Sequence, residues 1–137
     1  MMFCRTLRPV LAAIAAAALL ATAAMAQPDL LQPKYHLPAG CFAYVADTGR
    51  PATWKLPYRH ADGSVDRRRL PLAIEAVLGT YRGRRARIPE TARPDVLRKL
   101  ARAADAIGKL PPRNTHPAPL YRRLAAALAR QRRTSGG

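Results

Sequence analysis

Apolar positions change rhythm several times along the chain, and each change predicts an element. Val10 to Ala21 is an unbroken apolar run without a period. Gln27 to Gly40 carries Pro28, Pro33 and Pro38 at five-residue spacing. Proline fixes φ, removes a donor and biases its predecessor toward extended backbone, so 27–40 reads as an extended leader. Leu30, Leu31 and Tyr35 are its apolar groups for lying over a domain. Cys41-Phe42-Ala43-Tyr44-Val45 has the aromatic and β-branched content of a strand. Asp47-Thr48-Gly49-Arg50 is turn chemistry, and Thr53-Trp54-Lys55-Leu56 reads as the return strand, with Pro51 and Pro57 confining it to an edge. Together these predict a hairpin over 41–57. An isolated hairpin is marginal in water, so it is expected to dock on the rest of the chain through Phe42, Tyr44 and Trp54.

Beyond the hairpin the pattern is helical. Leu70, Ile74, Val77, Leu78 and Tyr81 share one face of a 3.6-residue period, which predicts a helix over about 68–82, capped by Asp66 and followed by Gly83. Gly79 falls inside it and costs about 1 kcal/mol relative to Ala, a sign that another backbone approaches there. Val96, Leu97, Leu100, Ala103, Ala104 and Ile107 oppose Asp95, Arg98, Lys99, Arg102, Asp105 and Lys109, which predicts a surface helix over about 94–108. Lys109 to Pro119 contains Pro111, Pro112, Pro117 and Pro119 and forms a stiff connector. Leu120, Tyr121, Leu124 and Leu128 then predict a third helix over about 119–132, and 133–137 is expected to fray as a disordered tail. The fold class is α+β, mostly α. One small domain, 41–132, packs a hairpin on three amphipathic helices.

The opening run changes the picture of where this domain works. Arg5 and Arg8 precede the apolar stretch, and Ala24-Met25-Ala26 closes it with small residues. Basic start, short apolar region and A-x-A end, in that order, predict a secretory signal peptide over 1–26 rather than a membrane span. Cleavage after Ala26 leaves 111 of the 137 residues and removes Arg5 and Arg8, lowering the net charge from +16 to +14. Cys4 goes as well, so Cys41 has no intramolecular disulfide partner; it is either buried or bridges two chains, and burial is the commoner fate of a lone Cys. A periplasmic or secreted location in a Gram-negative bacterium is expected, with no integral span after cleavage.

Charge adds one more feature. The chain has 24 Lys plus Arg against 8 Asp plus Glu, and 20 of the basic residues are Arg. The excess of Ala, Arg, Pro and Gly maps to GC-rich codons. Codon bias accounts for Arg over Lys, but not for the scarcity of acids. Arg67-Arg68-Arg69 precede the first predicted helix, and Arg122, Arg123, Arg130, Arg132 and Arg133 stud the third. The densest cluster is Arg82, Arg84, Arg85 and Arg87, beside a helix end. These four are the candidate anion-binding residues, since the guanidinium fork suits phosphate.

Other constellations are weaker. Asp47-Thr48-Gly49 resembles the nucleophile-activating loop of aspartic proteases, and Val77-Leu78-Gly79 echoes the apolar-apolar-Gly segment of the retroviral type. Arg50 stands where a small residue belongs, and 77–79 falls in a predicted helix, whereas that family is nearly all β. The turn reading is preferred. Asp62, Ser64 and Asp66 begin like a calcium loop, but Arg67 and Ala73 occupy the Gly and bidentate Glu positions. His36, Cys41, His60 and His116 lack the paired spacing of a structural zinc site, so no metal or cofactor is assigned.

The reading that results is a non-catalytic exported protein whose basic face meets an acidic protein or envelope polyanion. The alternative is a small accessory subunit that binds a partner protein through an apolar groove, with Trp54 as anchor. A hydrolase is the third reading. It requires Asp47, Asp62 or Asp66 to meet His36, His60 or Cys41 in a pocket.

Overall fold

The computed structural model describes residues 30–79 and 82–136. The predicted signal peptide, the first residues of the leader and Tyr81 lie outside these. Two short strands, β1 (Phe42–Tyr44) and β2 (Lys55–Pro57), pair antiparallel with Phe42 opposite Pro57 and Tyr44 opposite Lys55. Three helices complete the chain: α1 (Arg69–Leu78), α2 (Arg93–Ala106) and α3 (Pro119–Ser135). The architecture is mixed α+β, with a two-stranded antiparallel sheet and three helices. No described helix is long and apolar enough to cross a membrane.

The apolar stripes found in the sequence form the core. Leu70, Ile74 and Val77 of α1 meet Val96, Leu100 and Ala104 of α2 and Tyr121 and Leu124 of α3 in one buried cluster that also contains Ala43 and Tyr58. A second cluster gathers Leu37, Cys41, Phe42 and Trp54 beside the sheet. It extends the domain four residues into the expected leader. Tyr35 stacks at a tilt on Phe42, ring centroids 6.1 Å apart, and the Arg69 guanidinium lies 5.1 Å from the Tyr35 ring. Tyr35 and Leu37 thus hold the leader down, whereas Leu30 and Leu31 stay exposed.

Helix limits differ from the periodicity in two places. α1 stops at Leu78, short of the expected 82, because Gly79 takes the left-handed conformation (φ 82°) and its N–H bonds back to the Glu75 carbonyl. Gly79 is a C-terminal stop. No backbone lies against it; a Cβ there would sit 3.2 Å from Arg85 Nε. α3 runs on to Ser135, past the expected 132, so Arg133 belongs to the helix rather than to a frayed tail. The hydroxyls of Thr134 and Ser135 both donate back to the Gln131 carbonyl in the last turn of the helix.

The directions of the helices decide which of their ends lie together. Arg67, just before α1, is close enough to Tyr121, at the start of α3, to oppose the upward shift that burial gives the Tyr121 hydroxyl. Gln131, near the end of α3, donates to the carbonyl of Pro94 at the start of α2 (3.2 Å). α1 and α3 therefore run the same way, and α2 returns between their ends.

Candidate anion-binding surface

Residues 82–92 connect α1 to α2, and this loop is pinned at several points. The Ala86 N–H donates to Ala76 O (2.7 Å), and Lys55 Nζ donates to Arg87 O (2.7 Å). Ile88 is buried in the main core. The strongest tie is Arg93, at the first position of α2. Its guanidinium donates to Val77 O (3.2 Å) and more loosely to Ala86 O (3.4 Å), and its Nε lies 2.8 Å from Glu90 Oε1. Val77 is in the last turn of α1, where carbonyls have no partner within the helix. One side chain thus closes the end of α1, holds the loop and starts α2. Its side chain is only 14% exposed. Sequence reasoning missed Arg93 because it looked like one more arginine on a polar face. The sole local signal is Glu90, three residues earlier.

The four candidate arginines, Arg82, Arg84, Arg85 and Arg87, all sit exposed on this anchored loop. Arg82 and Gly83 both take positive φ (49° and 68°), which turns the chain sharply after α1. Arg85 lies over Gly79, beside the negative end of the helix dipole. Five of the described acids are engaged elsewhere. Asp47 faces Arg50, Asp66 faces Arg69, Glu90 faces Arg93, Asp95 faces Arg98 and Asp105 faces Arg113. Among the described residues, Arg84, Arg85 and Arg87 face no carboxylate.

Trp54, the expected partner anchor, is turned inward. It is 3% exposed, packs on Phe42 (5.7 Å between ring centroids) and donates its indole N–H to Asp47 O at 2.8 Å. The large apolar body and the single donor are both satisfied within the chain, so Trp54 fastens the β1–β2 connection instead of reaching a partner. Asp47 completes that connection. Its carboxylate accepts the Gly49 N–H (2.8 Å), which is the turn geometry favoured by Asp-x-Gly.

Of the groups weighed for hydrolysis, Cys41, His60 and Asp66 do come together. His60 Nδ1 is 3.8 Å from Asp66 Oδ2, and the Cys41 thiol donates to the His60 carbonyl at 3.1 Å. These contacts also serve the fold. Asp66 Oδ1 accepts the N–H groups of Arg68 (2.9 Å) and Arg69 (3.2 Å), which caps α1 as its position in the sequence suggests. Burial alone would raise its pKa. The two N–H bonds, with His60 and Arg69 nearby, outweigh burial and hold the carboxyl below its ordinary value. Burial pushes the Cys41 thiol upward, opposite to the shift that activates a nucleophile. An opening of about 360 Å³ beside this group is lined by His60, Ser64, Val65, Asp66, Arg67 and Arg68. A second, more apolar recess of about 300 Å³ lies between Tyr35, Leu56, Arg69 and Leu72. No group of three His, Cys, Asp or Glu side chains among the described residues could hold a metal ion.

Comparison with known proteins gives no match: no protein-family model, no curated protein and no solved structure resembles this chain at a significant level.

Proposed function

We propose that this chain is an exported, non-catalytic protein of the periplasm or extracellular space whose basic surface meets an acidic protein or an envelope polyanion. The observation that carries the reading is the loop after α1. Arg84, Arg85 and Arg87 are exposed and, among the described residues, face no acidic partner, while the backbone beneath them is tied to α1, to β2 and to Arg93. A preformed loop loses less entropy on binding than a free tail, so an anion meets charges already in place. Export rests on the basic, apolar and A-x-A order of 1–26, with cleavage after Ala26. The hairpin belongs to the same domain as the helices in this reading, supported by Ala43 and Tyr58 in the helical core.

Retention on immobilised heparin tests the binding claim. The protein should bind at low salt and elute as salt rises, because each neutralised anion releases counterions. The triple substitution Arg84→Ala, Arg85→Ala, Arg87→Ala should elute at markedly lower salt with its melting temperature unchanged. A wild-type protein that flows through at low salt overturns the proposal. Intact mass of the exported protein tests cleavage: it should begin at Gln27.

A further inference from the structure

We infer that the anion-binding surface is wider than the loop: it joins Arg84, Arg85 and Arg87 to Arg130, Arg132 and Arg133 at the end of α3, and it fits a phosphate-bearing lipid surface. This rests on the proposed function above and names the partner of that site. Two adjacent residues make the junction. Arg93 reaches Ala86 in the loop, and Pro94 accepts from Gln131, in the midst of the three α3 arginines. The ends of α1 and α3 therefore lie at the same end of the molecule, and two clusters more than forty residues apart in sequence become neighbours. Arg132 also shares a small recess of about 160 Å³ with Arg98 of α2.

All six arginines are exposed, and none faces a carboxylate among the described residues. Of the acids near this end, Glu90 and Asp95 face Arg93 and Arg98, and Glu75 stands in the last turn of α1. α3 itself carries five arginines and no acid. The charge therefore has to be balanced from outside.

The shape of the patch selects among polyanions. The charges stand on two separate rigid elements, and the recess between α2 and α3 is too small to enclose a nucleic-acid strand. Single-stranded nucleic acid also needs aromatic platforms for its bases. Among the described residues, Phe42, Trp54, Tyr58 and Tyr121 are buried in the two cores, and Tyr35 and Tyr44 pack partly against them. A broad array of guanidinium groups, with no cleft or free aromatic platform beside it among the described residues, suits an array of phosphates on a membrane. An exported chain meets such a surface directly.

Vesicle flotation with the protein as isolated from cells tests this. Wild type should partition onto phosphatidylglycerol-containing vesicles, release with salt, and ignore phosphatidylcholine vesicles. The triple substitution Arg130→Ala, Arg132→Ala, Arg133→Ala should weaken partitioning about a hundredfold at low salt, on a scale of about 1 kcal/mol per arginine at an anionic surface. The loop triple should do the same. Substituting Arg67, Arg68, Arg122 and Arg123, at the opposite end, should matter far less. If the Ala triple in α3 melts earlier than wild type, the Gln triple repeats the measurement. An α3 triple that binds like wild type, beside a loop triple that does not, overturns the inference and leaves the anion-binding loop standing. Equal loss from the opposite end overturns it too, as does tighter binding to a short DNA duplex than to the vesicles at equal salt. Heparin retention without any vesicle binding sinks the lipid surface alone.

Discussion

Arg93→Ala is the most informative single substitution, because it removes one side chain on which three elements depend. The lost contacts are unequal. The bond to Val77 O at 3.2 Å joins a charged donor to an otherwise unpaired helix-end carbonyl, and such bonds contribute about 1.5–3 kcal/mol. The reach to Ala86 O at 3.4 Å is long and adds little. Glu90 is 79% exposed, so its ion pair with Arg93 is screened and contributes at most about 1 kcal/mol. The expected loss is about 2–4 kcal/mol. For a domain near 100 residues, 1 kcal/mol moves Tm by about 4–5 °C, so Tm should fall by roughly 8–20 °C. Circular-dichroism melting measures the fall. Hydrogen exchange locates it: the Ala86 amide, bonded to Ala76 O, should lose protection before the core amides of α2. Glu90→Ala, which removes only the screened pair, should cost less than about 1 kcal/mol. An Arg93→Ala protein that melts with wild type, or keeps Ala86 protected, refutes the view that Arg93 holds the arginine-bearing loop.

The helix cap and the indole give two further expectations. Asp66→Ala should cost about 1–2 kcal/mol, the usual loss of an N-cap, read from chemical denaturation at neutral pH. The folded-state pKa of Asp66 lies below its unfolded value, so this contribution is fully present above about pH 4–5 and fades as pH falls through the folded pKa. The wild-type advantage over Asp66→Ala should therefore be flat at higher pH and shrink in acid; an advantage that grows in acid contradicts the assigned sign. Trp54→Phe keeps most of the apolar body but removes the N–H donated to Asp47 O. It should cost about 0.5–1.5 kcal/mol in thermal unfolding, while loss of vesicle or heparin binding would reopen Trp54 as a contact for partners.

The helices were legible because burial on one side of a helix leaves a 3.6-residue trace, and Leu70, Ile74, Val96, Leu100 and Leu124 all carry it. Their limits were less so. The periodicity of α1 continues to Tyr81, but Gly79 can take a left-handed conformation at little cost, and the chain turns there. α3 outruns its apolar stripe, and its last turn carries Thr134 and Ser135 hydroxyls bonded back to Gln131 instead of core contacts. Trp54 carries two expectations in the sequence, docking on the chain or anchoring a partner, and its burial favours the first. A tryptophan just before a three-residue strand has no periodic pattern to show which way it faces, and only the second cluster around Phe42 and Leu37 turns it inward.

The sequence by itself determined the class of fold, the cap at Asp66, the turn at Asp47 and the excess of positive charge. All of these depend on neighbouring residues or on simple counting. Which arginines stand together is a different kind of question. The chain separates Arg87 from Arg130 by the rest of the loop, a helix, a proline-rich connector and most of another helix. Only the parallel run of α1 and α3, with α2 returning between them, brings those clusters to one end. The same packing buries Arg93 against Val77 while leaving its neighbours in solvent. Identical side chains thus receive structural or surface roles from long-range contacts, which no local pattern records.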